Sequence, residues 1–255
     1  MNMPKKVYIR TFGCKLNQYE SQLIRENLVL NGWVETDFLK EANRILINSC
    51  AVTAEAEKEL KKFIRFAKRQ NPDISISVLG CLVDLYPEHL QSPSPLELYT
   101  NREKINLAGE LTTKDSITYF KNHIRAFVKI QDGCDNRCSF CCASIARGEP
   151  YSRPLKQIIP EIKTLLDNGY KEIVLTGLCL GFFGKDLDSD LIGLLKQIET
   201  LDYDFRLRLS SIEPQDVDDN LISYMKTSKK LAPHLHLPLQ SGSDKILKLM
   251  NRKYD

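Results

Sequence analysis

Three short β-branched runs in the first third of the chain each end in a cysteine: "KVYIRTFGC", "RILINSC" and "ISISVLGC". Between them lie longer stretches with helical periodicity, "NQYESQLIRENLVLNG" and "AEAEKELKKFIRFAKRQNP". Strand and helix alternating in this way predict parallel strands joined by crossover helices. Gly32 closes the first helix and Pro72 follows the second as a stop signal. In the second helix Leu60, Phe63, Ile64 and Ala67 recur at i, i+3, i+4, i+7 and form the face for the core. Lys58, Lys61, Lys62, Arg65, Lys68 and Arg69 are left toward water. Such a face can follow RNA phosphate, although a solvated surface is the plainer reading.

Periodicity fades in "LQSPSPLELYTNREKINLAGELTTKDS", which is rich in Ser, Pro, Thr and charge. A second βα series follows, with expected strands "IRAFVKI", "EIVLTG", "FRLRLSS" and "HLHLPL". Phe205, Leu207 and Leu209 alternate with Arg206, Arg208 and Ser210, as a barrel strand with distinct inner and outer faces requires. His234 and His236 read as ordered inward-facing residues of the fourth strand. The expected fold is α/β, an N-terminal open parallel-sheet domain followed by a partial (β/α) barrel. The boundaries fall at 1–95 for the first domain, 96–122 for a linker and 123–255 for the second. Four βα units make at best half a barrel, and the sequence stops at Asp255 inside the charged helical pattern "SDKILKLMNRKYD", so it is expected to be incomplete at its C-terminus.

The cysteines decide the chemistry. The chain carries eight among 255 residues, with a formal net charge of +3. It shows no apolar h-region and no stretch near the ~20 apolar residues of a membrane span. The expectation is a cytoplasmic protein with no membrane contact, where thiols stay reduced and clustered cysteines serve metal or redox chemistry. The mildly basic charge permits a nucleic-acid partner without requiring one. Cys134, Cys138 and Cys141 have C-x3-C-x2-C spacing in "GCDNRCSFCC". Three thiolates suit a 4Fe-4S cluster that keeps one iron open, whereas a closed zinc site takes four ligands. Cys142 is adjacent to Cys141, and neighbouring residues aim their side chains apart. Cys14, Cys50 and Cys81 share a position at strand ends, where loops of an open parallel sheet converge on one crevice. They read either as a second three-point site or as three buried small hydrophobes. Cys179 belongs to neither set.

These residues resemble the radical S-adenosylmethionine methylthiotransferases along nearly the whole chain. "TFGCKLNQYES", "INSCAVTAEAEKE" and "VLGC" are similar to that family's N-terminal domain, and "RAFVKIQDGCDNRCSFC" to the opening of its radical SAM domain. "ARGEPYSR", "EIVLTG", "LRLSSIEP" and "HLHLPLQSGSDKILKLMNRKY" follow in the family's order. "CKLNQYE" and "IQDGC" look most like the branch that methylthiolates threonylcarbamoyladenosine beside the anticodon of certain tRNAs. The isopentenyladenosine branch usually shows "CQMN" and the ribosomal-protein branch "CPKN".

The resemblance implies two 4Fe-4S clusters and S-adenosyl-L-methionine as cofactors. Cys134, Cys138 and Cys141 would hold the radical cluster, whose open iron binds S-adenosylmethionine. Cys14, Cys50 and Cys81 match the ligands of an auxiliary cluster that carries or delivers sulfur. It also implies cleavage of one S-adenosylmethionine to a deoxyadenosyl radical and a methyl group from a second, with the hard chemistry coming from the cofactor. Gly177 and Gly181 in "TGLCLGFFG", Ser211 and Glu213 in "SSIEP", and Gln240 and Ser241 after "HLHLPL" are candidates for binding S-adenosylmethionine at the C-terminal ends of barrel strands. Family members commonly carry asparagine at the place of Cys179 and proline at that of Ser144. Arg147 and Arg153 are candidates for a carboxylate or tRNA phosphate. The partners implied are tRNA, an electron donor such as flavodoxin or ferredoxin, and a sulfur source. Three other outcomes stay open: methylthiolation of isopentenyladenosine or of a ribosomal protein, an inactive truncated fragment that still binds clusters, and a zinc-bearing RNA-binding module.

Overall fold

A computed structural model describes residues 4–90, 92, 95–104 and 114–255. The chain divides into two compact units, residues 1–115 together with Ile145–Arg147, and residues 116–144 together with 148–255. No described helix is long and apolar enough to cross a membrane.

The first unit is built on a parallel sheet of β1 (Lys6–Thr11), β2 (Val34–Glu35), β3 (Arg44–Ser49), β4 (Ser75–Gly80) and β5 (Glu97–Tyr99), in the order β2-β1-β3-β4-β5. This is the doubly wound order whose strand sequence reverses between β1 and β3, leaving a crevice at the carboxyl ends there. Successive residues of β3 face opposite sides. Ile45 and Ile47 pack with Ile76 and Val78 against Leu60, Ile64 and Ala67 of α2 (Ala54–Gln70). Leu46 joins Val7 and Leu79 under Ile24 and Leu28 of α1 (Lys15–Leu30). Both faces are therefore buried, as a parallel sheet demands. Phe63 completes the expected α2 face only partly buried, stacked on Tyr8 at 6.0 Å. Thr53 caps α2, accepting from Ala56 N–H at 3.2 Å.

Two strands escape the sequence pattern. β2 is two residues long, too short to show a period. β5 lies in the stretch read as the start of a linker. It is three residues at the sheet edge, paired through Ser77↔Glu97 to Leu79↔Tyr99, so it needs apolar residues on neither face continuously. Residues 105–113 of that linker lie outside the described residues.

The second unit carries a three-stranded parallel sheet, β6 (Ala126–Lys129), β9 (Glu172–Thr176) and β10 (Arg206–Leu209), in the order β10-β9-β6. Helices α5 (Leu155–Asp167), α6 (Leu191–Glu199) and α7 (Asp219–Thr227) follow the strands in the repeating βα manner of a barrel. A short hairpin of β7 (Gln131–Asp132) and β8 (Tyr151–Ser152) and the helix α8 (Asp244–Leu249) complete this unit; α3 (Cys81–Leu85) belongs to the first, and α4 (Ala143–Arg147) is assigned to the first from Ile145 onward. Leu207 and Leu209 are buried while Arg206 is exposed, matching the expected alternation.

The expected fourth strand is corrected. "HLHLPL" forms no strand, and its neighbourhood shows only the isolated parallel bridges Leu207↔Leu231 and Ser211↔His236. Pro233 and Pro238 remove two backbone donors within six residues, which prevents a continuous ladder. His234 and His236 are accordingly exposed, not inward-facing.

Candidate functional site

In the first unit the folding rule that orders the strands also gathers the cysteines. Cys14 directly precedes α1 after β1, Cys50 follows β3, and Cys81 opens α3 immediately after β4. Since β1, β3 and β4 are consecutive neighbours in a parallel sheet, all three thiols stand at its carboxyl edge, across about 10 Å of strand spacing. Cys14 is exposed and Cys50 and Cys81 are buried. Gly13 shows how closely two of these turns approach. Its φ is +93°, and a Cβ there would lie 2.6 Å from Cys50 Cβ and 2.7 Å from Cys50 Sγ. Only glycine adopts this backbone and leaves that space to the Cys50 sulfur.

A buried polar network lies beneath this edge. Asn17 Nδ2 donates to Phe12 O at 2.9 Å and to Ser49 O at 2.8 Å, tying together the turns that precede Cys14 and Cys50. Arg147, from the segment grouped with this unit, donates to Asn17 Oδ1 at 2.6 Å and forms an ion pair of 2.9 Å with Glu20. Lys104 is fully buried and donates to Glu20 Oε2 and Asn101 Oδ1, both at 2.5 Å. Asn101 Nδ2 in turn reaches Cys81 Sγ at 3.6 Å and Asp84 Oδ2 at 2.8 Å. Burial pulls the Lys104 ammonium below its ordinary pKa, against the opposing pull of Glu20. Burial likewise raises Asp84.

In the second unit Cys134, Cys138 and Cys141 occupy the loop between β7 and α4, and Cys142 directly precedes that helix. The loop is held by backbone. Cys134 N–H donates to Gly148 O at 3.0 Å and Cys141 N–H to Cys138 O at 3.1 Å. Gly133 has φ +72°, and a Cβ on it would meet Glu149 O at 2.0 Å. Gln131 is the hidden brace. Its Nε2 donates to Asp132 O at 2.8 Å and Gly133 O at 2.7 Å, while its Oε1 accepts from Cys179 N–H at 3.0 Å.

Donors already approach two of the three sulfurs. Asn136 N–H lies 3.4 Å from Cys134 Sγ, and Arg252 Nη1 lies 3.0 Å from Cys138 Sγ. Arg252 also pairs with Glu213 and covers the Tyr254 ring at 4.9 Å. The loop is further fastened by Ser139 N–H to Met250 O at 3.1 Å and Asn251 Nδ2 to Arg137 O at 2.7 Å. Burial, then the neighbouring Cys141 and Cys138 sulfurs, push the Cys134 thiol up, against the Asn136 N–H.

Among the described residues no group of three His, Cys, Asp or Glu side chains converges tightly enough for a single ion. A 4Fe-4S cluster assigns one thiolate to each iron it anchors and needs its sulfurs distributed around it. The two sets of three thiols fit that requirement in number and chemistry.

The remaining candidates are placed as follows. Gly177 and Gly181 follow β9, but their side-chain positions face protein: a Cβ would lie 2.8 Å from Gln131 Oε1 in the first case and 2.0 Å from the Asp216 carboxylate in the second. Cys179, between them, is buried beside Asp216 at 3.6 Å. Its thiol is pushed up to about 12, first by burial and then by the Asp216 charge. Ser211 makes the bridge to His236 just past β10, and Glu213 is taken up by Arg252. Gln240 is exposed with φ +59°, and Ser241 Oγ accepts from Ser243 N–H at 3.2 Å. Arg147 has the buried partners given above. Arg153 is turned inward, donating to Lys129 O at 2.7 Å and Glu161 Oε2 at 2.6 Å. Internal partners account for both arginines. Gln131, Asn17, Glu20, Asn101 and Lys104 went unnoticed in the sequence as site residues, and only buried polar character inside the quoted motifs marks the first three.

Residues 6–100 match the model of the family described as Uncharacterized protein family UPF0004, and residues 128–255 match that of the Radical SAM superfamily. The threonylcarbamoyladenosine tRNA methylthiotransferase MtaB of Thermotoga maritima is 39% identical over 270 residues, covering 98% of this chain and 62% of that protein. The MtaB of Bacillus subtilis is 35% identical, covering 97% and 60%. A tRNA-2-methylthio-N(6)-dimethylallyladenosine synthase of Thermodesulfovibrio yellowstonii is 33% identical, covering 98% and 63%. The chain thus spans about three fifths of the length of these curated relatives. Among solved structures, the radical S-adenosylmethionine methyltransferase TsrM of Kitasatospora setae, with tryptophan and a SAM analogue, aligns over 98% of this chain and 63% of its own. The TM-score is 0.62 at 12% identity, a likeness of fold alone.

Proposed function

Because the chain belongs to the Radical SAM superfamily, we propose that it is a tRNA methylthiotransferase acting at carbon 2 of threonylcarbamoyladenosine by radical S-adenosylmethionine chemistry. The observation that carries this reading is the alignment of Cys14, Cys50 and Cys81 at the ends of three adjacent parallel strands, in addition to the Cys134–Cys141 loop. A second thiol triad, apart from the Cys134–Cys141 loop, gives the chain a separate place to hold sulfur, which sulfur insertion needs.

In this reading Cys134, Cys138 and Cys141 hold one 4Fe-4S cluster and Cys14, Cys50 and Cys81 another. When bound, the clusters and S-adenosylmethionine supply the electron, the radical and the sulfur that an inert aromatic C–H requires. The chain's own residues orient them. Gln131 braces the backbone on both sides of Gly133, and Arg252 holds the Cys138 sulfur. Asn17 holds the turns bearing Cys14 and Cys50. Ser211, Gln240 and Ser241, after β10 and the following segment, remain the candidates for S-adenosylmethionine. tRNA, an electron donor such as flavodoxin or ferredoxin, and a sulfur source are the partners this reading requires. The likeness to the dimethylallyladenosine synthase favours one second reading, the same chemistry on isopentenyladenosine in tRNA.

Two measurements test this. Anaerobic reconstitution should load about eight irons per chain, falling to about four in a Cys14→Ala, Cys50→Ala, Cys81→Ala variant; zinc in place of iron sinks the reading. Mass analysis of tRNA nucleosides from a strain lacking the gene should show threonylcarbamoyladenosine without its methylthio group. Loss of the isopentenyladenosine derivative instead would select the second reading.

A further inference from the structure

Buried Lys104 and half-buried Asn101 are joined by a hydrogen bond, Asn101 lies near Cys81, and neither takes part in the apolar core. Burying an ammonium completely is expensive unless anionic or polar partners surround it. Lys104 has 0% exposure and uses two of its three hydrogens on Glu20 and Asn101, each at 2.5 Å. Glu20 is shared with Arg147, a second buried cation whose side chain is 1% exposed. Lys104 and Arg147 are set against two carboxylates, Glu20 and Asp84, and Asn101 connects the ammonium to the place where Cys81 stands. Its Oδ1 accepts from the ammonium, and its Nδ2 donates to Asp84 Oδ2 at 2.8 Å and Ala146 O at 3.0 Å and lies 3.6 Å from Cys81 Sγ. Asn101 is itself fixed by Asp84, which accepts from its backbone N–H at 3.0 Å and its side chain at 2.8 Å. The amide dipole is therefore held in one orientation.

We propose that Lys104 and Asn101 are positioning residues for the Cys14, Cys50 and Cys81 site, setting the reduction potential of the iron-sulfur cluster held there by stabilising the negative charge that reduction adds. This rests on the reading of that triad as cluster ligands. Net charge and hydrogen bonds to sulfur are among the levers by which proteins move cluster potentials. A buried ammonium joined to an amide that lies 3.6 Å from one ligand sulfur supplies the first of these. Reduction adds one electron to the cluster, and the nearby ammonium makes that addition more favourable.

The test uses the full chain with Cys134→Ala, Cys138→Ala and Cys141→Ala, reconstituted anaerobically with ferrous iron and sulfide so that only the first-unit triad is loaded. Its midpoint potential is read by dithionite titration followed by electron paramagnetic resonance. Lys104→Met is expected to lower the equilibrium constant for one-electron reduction at least tenfold, a shift of about 59 mV, and Lys104→Arg to restore it to within threefold. Asn101→Ala, in a half-buried turn, is expected to shift it in the same direction and decides the matter if Lys104→Met fails to fold. Potentials unchanged within threefold in the folded variants, with iron still bound, overturn the proposal and leave the cluster reading standing. Absence of iron from the parent chain overturns both.

Discussion

Arg153 offers the sharpest test of the structure, since its position after the cysteine loop reads in the sequence as a contact for an anionic ligand. Its guanidinium instead bridges Lys129 O at 2.7 Å and Glu161 Oε2 at 2.6 Å. Glu161 is 0% exposed, and its other oxygen accepts from Ile117 N–H at 2.8 Å. Replacing Arg153 with alanine would strand a buried carboxylate and leave Lys129 O without this donor. Breaking one side of such a pair costs about 3–5 kcal/mol. For a unit of this size that lowers the melting temperature by about 6 to 20 °C. Urea and thermal unfolding followed by far-ultraviolet circular dichroism measure it. The double variant Arg153→Met, Glu161→Leu removes both charges and should recover at least half of the loss, because the single variant's penalty is mostly the unpaired carboxylate. A single-variant cost under about 1 kcal/mol, the range of an exposed ion pair, would refute the buried-crosslink argument and return Arg153 to the ligand-binding candidates.

Other outcomes follow from the same geometry. Gly133→Ala combines φ +72° with a Cβ 2.0 Å from Glu149 O, so it should cost about 2 to 5 kcal/mol and lower iron retained by the Cys134 loop, read by iron analysis and urea unfolding. Thr53→Ala removes the α2 cap and should cost about 1 kcal/mol in urea unfolding with cluster content unchanged. In the metal-free folded protein, exposed Cys14 should alkylate with iodoacetamide at pH 8 well before Cys179, which is buried with its thiol pushed up to about 12. Mass mapping of the modified peptides checks this, and equal rates would contradict the burial of Cys179.

Much of this molecule is legible in short stretches. The short β-branched run "RILINS" marks β3 as a strand, and the periodicity of Leu60, Phe63, Ile64 and Ala67 marks the face of α2 that meets the sheet. The cysteine spacing of the Cys134 loop is likewise local, because one turn of chain carries all three thiols. β5 and the segment 234–239 are not legible in this way. β5 is made a strand by its neighbour β4, and the segment after Pro233 is denied its ladder despite alternating residues.

What the sequence determined by itself was the main strands and helices, β2, β5 and the segment 234–239 excepted, and the donor chemistry, since each depends on residues a few positions apart. What only the tertiary structure decided was partnership. The order β2-β1-β3-β4-β5 makes neighbours of three strand ends separated by dozens of residues, and so brings Cys14, Cys50 and Cys81 to one edge. The same folding turned Arg147 and Arg153 from candidate ligand contacts into buried ion pairs and set Lys104 near Cys81. A charge leaves water only where the fold supplies its counter-charge, and no spacing along the chain specifies which distant residue that will be.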